Sequence, residues 1–229
     1  REAFDAVLEF LRRSRIDRAL FVGDIVGYGA DPAACIALLK ELNAVSVAGN
    51  HDWAVAGKVE LDYFNEEARL AIAWTQGRLE SADVSFLAEL NLVEEAGGCC
   101  LVHGTLERPE VFDYMKDTLR ASSTFRAQRQ QICLVGHSHW PGVFVSQGDR
   151  IVFQKDTDLI LEEAMRVIVN VGSVGQPRDG NPQACYAVYD SHKGTVQIKR
   201  VDYDIKKTQS KIMAAGLPSI LADRLALGK

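Results

Sequence analysis

The chain predicts an α/β protein in which two β-sheets pack face to face with helices outside. Three observations predict it. Up to about residue 135, short apolar runs of strand length alternate with segments of helical period. Beyond that point, strand-like runs follow one another directly, separated by turn residues. The 229 residues are 47% hydrophobic and 25% charged, proportions of a globular chain with one substantial core. One domain over 1–229 is expected, with a helical tail at about 205–229.

The first helix starts at Arg1, because Phe4, Val7, Leu8 and Leu11 form one apolar stripe at i, i+3, i+4, i+7 spacing. Ala19-Leu-Phe-Val22 is a short buried strand. Asp31 then offers a capping carboxylate before Pro32, the first residue of a helix carrying Ile36, Leu38, Leu39 and Leu42. Val45-Ser-Val-Ala48 is the second strand, ending in a turn at Gly49 to Asp52. Helices follow at about 65–79 and 81–90, a third strand at Cys99-Cys-Leu-Val102, a helix over about 109–131, and a fourth strand at Ile132-Cys-Leu-Val135. The β-rich stretch contains Val143-Phe-Val145, Ile151-Val-Phe153, Val167-Ile-Val169, Tyr186-Ala-Val-Tyr189 and Val196-Gln-Ile-Lys-Arg-Val201. The tail reads as two short helices broken at Gly216-Leu-Pro218.

Charge and cysteine usage exclude several functions. Twenty-six Lys and Arg against 31 Asp and Glu leave a net charge of -5, which argues against strong nucleic-acid binding. No apolar run reaches the roughly 18 residues of a spanning helix, so no membrane partner is expected. Of the 5 cysteines, most lie in apolar runs and none form a C-x-x-C pair. They read as buried free thiols in a reducing compartment, and a cytoplasmic location is expected. A homo-oligomer is compatible with the sequence.

The chemistry lies where the first four strands end. Their terminal turns are Gly23-Asp24, Gly49-Asn50-His51-Asp52, His103-Gly104 and Gly136-His137-Ser138-His139. Carboxyl ends of strands form the ligand crevice of open α/β sheets, so four such ends in one sheet would converge their polar groups. Four of the 5 histidines lie there, and His192 is assigned to a surface turn without a role. Imidazole and carboxylate without thiolate suit a catalytic Zn, Mn, Fe or Ni site rather than a sulfur-bound structural one. Asp24 has the chemistry to bridge two metals.

These turns, in this order, resemble the successive motifs of the calcineurin-like metallophosphoesterase superfamily. Val169-Asn-Val-Gly-Ser-Val-Gly-Gln-Pro-Arg-Asp-Gly180 resembles a stretch of its small bacterial and archaeal phosphodiesterase-like branch. The resemblance implies a four-layer αββα sandwich and a binuclear centre that hydrolyses phosphate mono- or diesters through a metal-bound hydroxide. It implies that Asp24 bridges both metals, that Asn50, His103 and His137 complete one site, and that His139 binds the other. His51 would assist the leaving group and Asp52 would orient His51. Tyr28 and Arg178 are further candidates, for contact with a small phosphoester substrate; the alternative for Arg178 is an ion pair with Asp179. The family's opening Asp-x-His, on a strand before the first helix, is absent from the sequence as given and is expected upstream of Arg1. Its genuine loss would leave one metal or none. The alternative function is accordingly a catalytically weak or inactive scaffold for protein interaction, against which the intact Gly49-Asn50-His51-Asp52 speaks. A structural zinc protein is a third option, disfavoured by the open coordination such ligands imply.

Overall fold

A computed structural model describes residues 1–148, 150–155 and 158–229. Eight α-helices lie among them: α1 (Glu2–Arg13), α2 (Pro32–Glu41), α3 (Asn50–Val55), α4 (Glu66–Gln76), α5 (Ser81–Glu89), α6 (Thr118–Ala127), α7 (Ile205–Ala214) and α8 (Ser219–Asp223). The strands are β1 (Leu20–Phe21), β2 (Val45–Ser46), β3 (Val93–Ala96), β4 (Cys99–Val102), β5 (Ile132–Val135), β6 (Gly142–Gln147), β7 (Arg150–Gln154), β8 (Asp158–Ile160), β9 (Arg166–Asn170), β10 (Ala184–Asp190) and β11 (Thr195–Val201).

One 6-stranded sheet runs in the order β3-β4-β5-β9-β6-β7, parallel at its centre and antiparallel at both margins. A 3-stranded antiparallel sheet, β10-β11-β8, faces it. The pleat sorts the side chains of the large sheet. Cys99, Leu101, Ile132, Leu134, Val167 and Val169 point inward to meet Cys185, Val196 and Ile198 of the second sheet. Their neighbours Cys100, Val102, Cys133, Val135 and Ile168 point outward, against Ala121 and Phe125 of α6. Central strands covered on both faces read as unbroken apolar runs for this reason. On the far side, Ala3 and Val7 of α1 cover Ala184, Tyr186 and Val201, while Phe4, Leu8 and Leu38 join α1 to α2. The layers are therefore helix, sheet, sheet, helix. Each fully buried Val, Leu or Ile in them contributes about 1.5–3 kcal/mol relative to exposure.

Several expectations change. The first two strands pair in parallel as a separate 2-stranded sheet, with Val47 bridging to Asn91, so the four turns are not delivered by one sheet. Gly49 to Asp52 is the start of α3 rather than a free turn. The helix expected over 109–131 is only Thr118–Ala127, after a 3₁₀ turn at Pro109–Val111. Phe112 sits in left-handed backbone at φ 54°, which stops the turn, and Asp117 caps α6 by accepting from Arg120 N–H at 2.9 Å. Asp31 makes no capping bond to α2; its carboxylate accepts from Lys211 Nζ at 2.7 Å instead. β3 and β8 were not expected, being only 4 and 3 residues long and each carrying at least one acidic residue.

The tail packs as two helices and a 3₁₀ turn. Ile212, Leu217, Leu221 and Leu225 bury against Ala71, Trp74 and Tyr28, so the tail supports one wall of the region described next.

Candidate metal centre

Asp24, His137 and His139 all have positive φ, at 54°, 61° and 58°. Left-handed backbone at a residue other than glycine costs roughly 1–3 kcal/mol and persists only where its surroundings enforce it. Here it turns three polar side chains out of the ends of apolar strands into one space. Gly49 is required by close approach, since a Cβ on it would lie 2.1 Å from Asp24 Oδ1. That oxygen instead accepts from His51 N–H at the start of α3, at 3.0 Å.

The other Asp24 oxygen, Oδ2, lies 3.2 Å from His103 Nε2, which is also 3.0 Å from His137 Nδ1. His103 Nδ1–H donates to Val22 O at 2.6 Å; a carbonyl only accepts, so this bond sets the tautomer and aims Nε2 at the cluster. Asp24, His103 and His137 thus offer one donor atom each, all within 4.8 Å of one another. Asn50 Oδ1 is buried with no hydrogen-bond partner at the same crevice. A buried amide oxygen left unpaired beside a carboxylate and two imidazoles fits a divalent cation with oxygen and nitrogen ligands. Among the described residues, His139 lines the same cavity without joining that close group. Its Nδ1–H donates to Gln176 O at 2.7 Å, leaving Nε2 as the free donor.

Local charge separates these groups. Burial alone would raise the Asp24 carboxyl, but His103 and His51 beside it hold it well below the usual carboxylate range. Burial opposes protonation of His103, yet the Asp24 carboxylate outweighs it and raises the imidazole's pKa. Burial, followed by His103, keeps His137 neutral, and burial lowers His51. His139 falls to about 3, through burial and then the Arg178 guanidinium. Proton release from His103 would accompany metal binding there.

Two residues make contacts other than those the sequence suggests. Asp52 makes no hydrogen bond to the His51 ring. Its carboxylate accepts from Val26 N–H at 3.2 Å and from Gly49 N–H at 2.9 Å, tying α3 to the Asp24 loop, while His51 Nδ1 has no partner. Burial, then the Asp24 charge, pushes the Asp52 carboxyl up to about 7. The His51 ring is held by the edges of Tyr28 and Phe64, at centroid distances of 4.6 and 5.2 Å, and by Gly27, where a Cβ would come 3.0 Å from Nδ1. Arg178 forms no ion pair with Asp179, which pairs with Arg200; it bonds Gln176 Oε1 at 2.8 Å and lies over the Tyr28 ring. Tyr28 and Arg178 both line the cavity. His192 sits in the β10–β11 turn, as expected.

Residues not anticipated complete the site. Asn170, at the end of β9, donates to Gly136 O and Ser138 Oγ, both at 2.9 Å, and pins the turn that presents His137 and His139. Its signals were an amide closing an apolar run and its place in the 169–180 stretch. Tyr114 stacks on His137 with centroids 3.9 Å apart, and Tyr63, Phe64 and Asn65 line the mouth. Nothing in their local sequence marked them.

Carboxylate, amide and imidazoles gather at the ends of strands in a four-layer sandwich, a donor set suited to a divalent metal. The model of the calcineurin-like phosphoesterase superfamily domain matches residues 1–194, and the chain belongs to that family. It is 38% identical, over 100% of its length and 93% of the relative's, to an uncharacterised protein of Methanocaldococcus jannaschii. The crystal structure of a metallophosphoesterase from Sphaerobacter thermophilus aligns with a TM-score of 0.85 at 37% identity, over 99% of this chain and 94% of that one. A hypothetical protein from Pyrococcus horikoshii shares the fold, with a TM-score of 0.78 at 20% identity over 100% and 94% of the two chains. Among the described residues, no helix is long and apolar enough to cross a membrane.

Proposed function

We propose that this protein hydrolyses phosphate mono- or diesters with two divalent metal ions, of the small phosphodiesterase-like branch of its family. The observation that carries the reading is the convergence of Asp24 Oδ2, His103 Nε2 and His137 Nδ1 beside the unpartnered Asn50 Oδ1. Asp24, Asn50, His103 and His137 would hold one ion, and His139 with Asp24 the other; Mn, Fe, Zn and Ni all suit such donors. Bound ions of this kind neutralise phosphoryl oxygens and bring the pKa of water toward neutrality.

The chain's own groups supply the rest. Arg178, already held by Gln176 and lying over the Tyr28 ring, presents a guanidinium to the phosphoryl oxygens. His51 has Nδ1 buried, so Nε2 is the nitrogen that reaches a bound ester. It donates to the departing oxygen and stabilises the charge that develops there. Tyr28 and Phe64 keep that ring from turning.

The test is turnover of bis-p-nitrophenyl phosphate and p-nitrophenyl phosphate by Mn-loaded protein. Hydrolysis of at least one is expected, and His51→Ala should lower kcat about 100-fold or more with metal content unchanged. Metal-loaded protein that turns over neither ester would favour the scaffold reading.

A further inference from the structure

The cavity over the donor cluster has a volume of about 100 Å³, well below the roughly 300–1,000 Å³ of pockets that enclose whole ligands. It admits a phosphoryl head and leaves whatever that head carries at the mouth. The mouth is aromatic. Tyr28 is turned edge-on to His51, and Phe64 is likewise engaged. Tyr114 lies flat on His137, with interplanar angle 15°, and the Lys116 ammonium stands 4.3 Å from its centroid. An imidazole and an ammonium cannot share one face at those distances, so both faces of Tyr114 are occupied. Tyr63 differs. It is 85% exposed, yet it lines the same cavity. It stands in a one-turn 3₁₀ segment between Leu61 and Phe64, which pack into the cluster formed with Val55 and Ile72. The buried flanks hold the backbone while the phenol ring stays open to solvent. A large, supported aromatic ring left uncovered at the lip of a phosphate-sized cavity is a platform for a planar ring.

Building on the phosphoester reading above, we propose that the substrate carries a nucleobase, and that Tyr63 stacks on it while the phosphoryl group occupies the cavity. The proposed subsite separates the parts of the substrate. Asp24, the histidines and Arg178 contact the phosphate end, and Tyr63 contacts the base. Tyr63 is therefore a specificity residue.

The test uses two ligands that differ only in the base. Adenosine 5′-monophosphate and ribose 5-phosphate are titrated calorimetrically into Mn-loaded protein. Adenosine 5′-monophosphate should bind about tenfold more tightly. Tyr63→Ala should remove most of that gap and leave ribose 5-phosphate affinity unchanged, and Tyr63→Trp should keep the gap. Equal affinities for the two ligands in the unaltered protein overturn the inference while the phosphate site stands. So does a Tyr63→Ala variant that weakens both ligands alike. Failure of both ligands to bind overturns this inference together with the phosphoester reading.

Discussion

His103 and His139 begin alike and end in opposite states. Both are buried, and both donate Nδ1–H to a backbone carbonyl, Val22 O at 2.6 Å and Gln176 O at 2.7 Å. What differs is the charge opposite. Nε2 of His103 meets a carboxylate 3.2 Å away, and its pKa rises; His139 is buried near the Arg178 guanidinium, and its pKa falls to about 3. The same side chain in the same kind of pocket therefore takes up a proton more readily on one side of the crevice than on the other. A buried imidazole takes its protonation state from its charged neighbour, because burial alone disfavours charge in both. The His103 side is assembled around Asp24, whereas the His139 side depends on the loop that carries Gln176 and Arg178.

The strongest way to break that contrast is to remove the carboxylate. Asp24→Asn should lower phosphoesterase activity by about a thousandfold or more and leave little bound metal, measured by elemental analysis and turnover. His103 should then titrate below its ordinary value, as His139 does. An Asp24→Asn protein with full metal content and turnover would show that Asp24 does not organise the site.

A smaller effect sharpens the contrast through pH. In the metal-free protein, the raised pKa of His103 contributes stability that is complete below its unfolded value of 6.5 and is lost as pH rises through the folded value. His139 acts on the other side. Its folded pKa of about 3 means that the unfolded chain takes up a proton first, so stability is lost as pH falls from 6.5 toward 3. Each slope is at most about 1.4 kcal/mol per pH unit. Urea denaturation in the presence of chelator should show the alkaline slope flattened by His103→Gln and the acid slope flattened by His139→Gln. Flattening of the same limb by both variants would contradict the opposite environments.

The smallest expected effect concerns Asp52. Its carboxyl is pushed up to about 7 and serves two backbone N–H groups. Asp52→Asn keeps an acceptor oxygen, so stability should change by about 1 kcal/mol and turnover by less than about threefold. A loss of turnover near that of His51→Ala would show that Asp52 acts on His51 after all.

Much of the molecule is legible locally. The runs 99–102, 132–135 and 167–169 are apolar at every position because sheet covers one face and helix or sheet the other, and no surface strand needs that pattern. The turns holding Asp24, Asn50, His51, His103, His137 and His139 stand out because polar, metal-competent residues end apolar strands there. The 109–131 segment misleads because its charge and Gln content suit a helix, while Phe112 and Met115 are drawn into the interior. Asp31 and Asp52 mislead for a related reason: Asp31 bonds Lys211 in place of its own helix, and Asp52 adds to its local bond with Gly49 a bond to Val26, distant in the chain.

The sequence by itself determined the α/β class, the polar residues that end its strands and, through their motifs, the family, because strand burial and residue chemistry are properties of short segments. Only the tertiary structure decided which donors meet, which imidazole takes up a proton more readily, what holds His51, and that Tyr63 is left uncovered at the mouth. Those outcomes depend on distances between segments far apart along the chain. Electrostatic and stacking forces fall off over a few ångströms, so they act only once the fold has closed those distances.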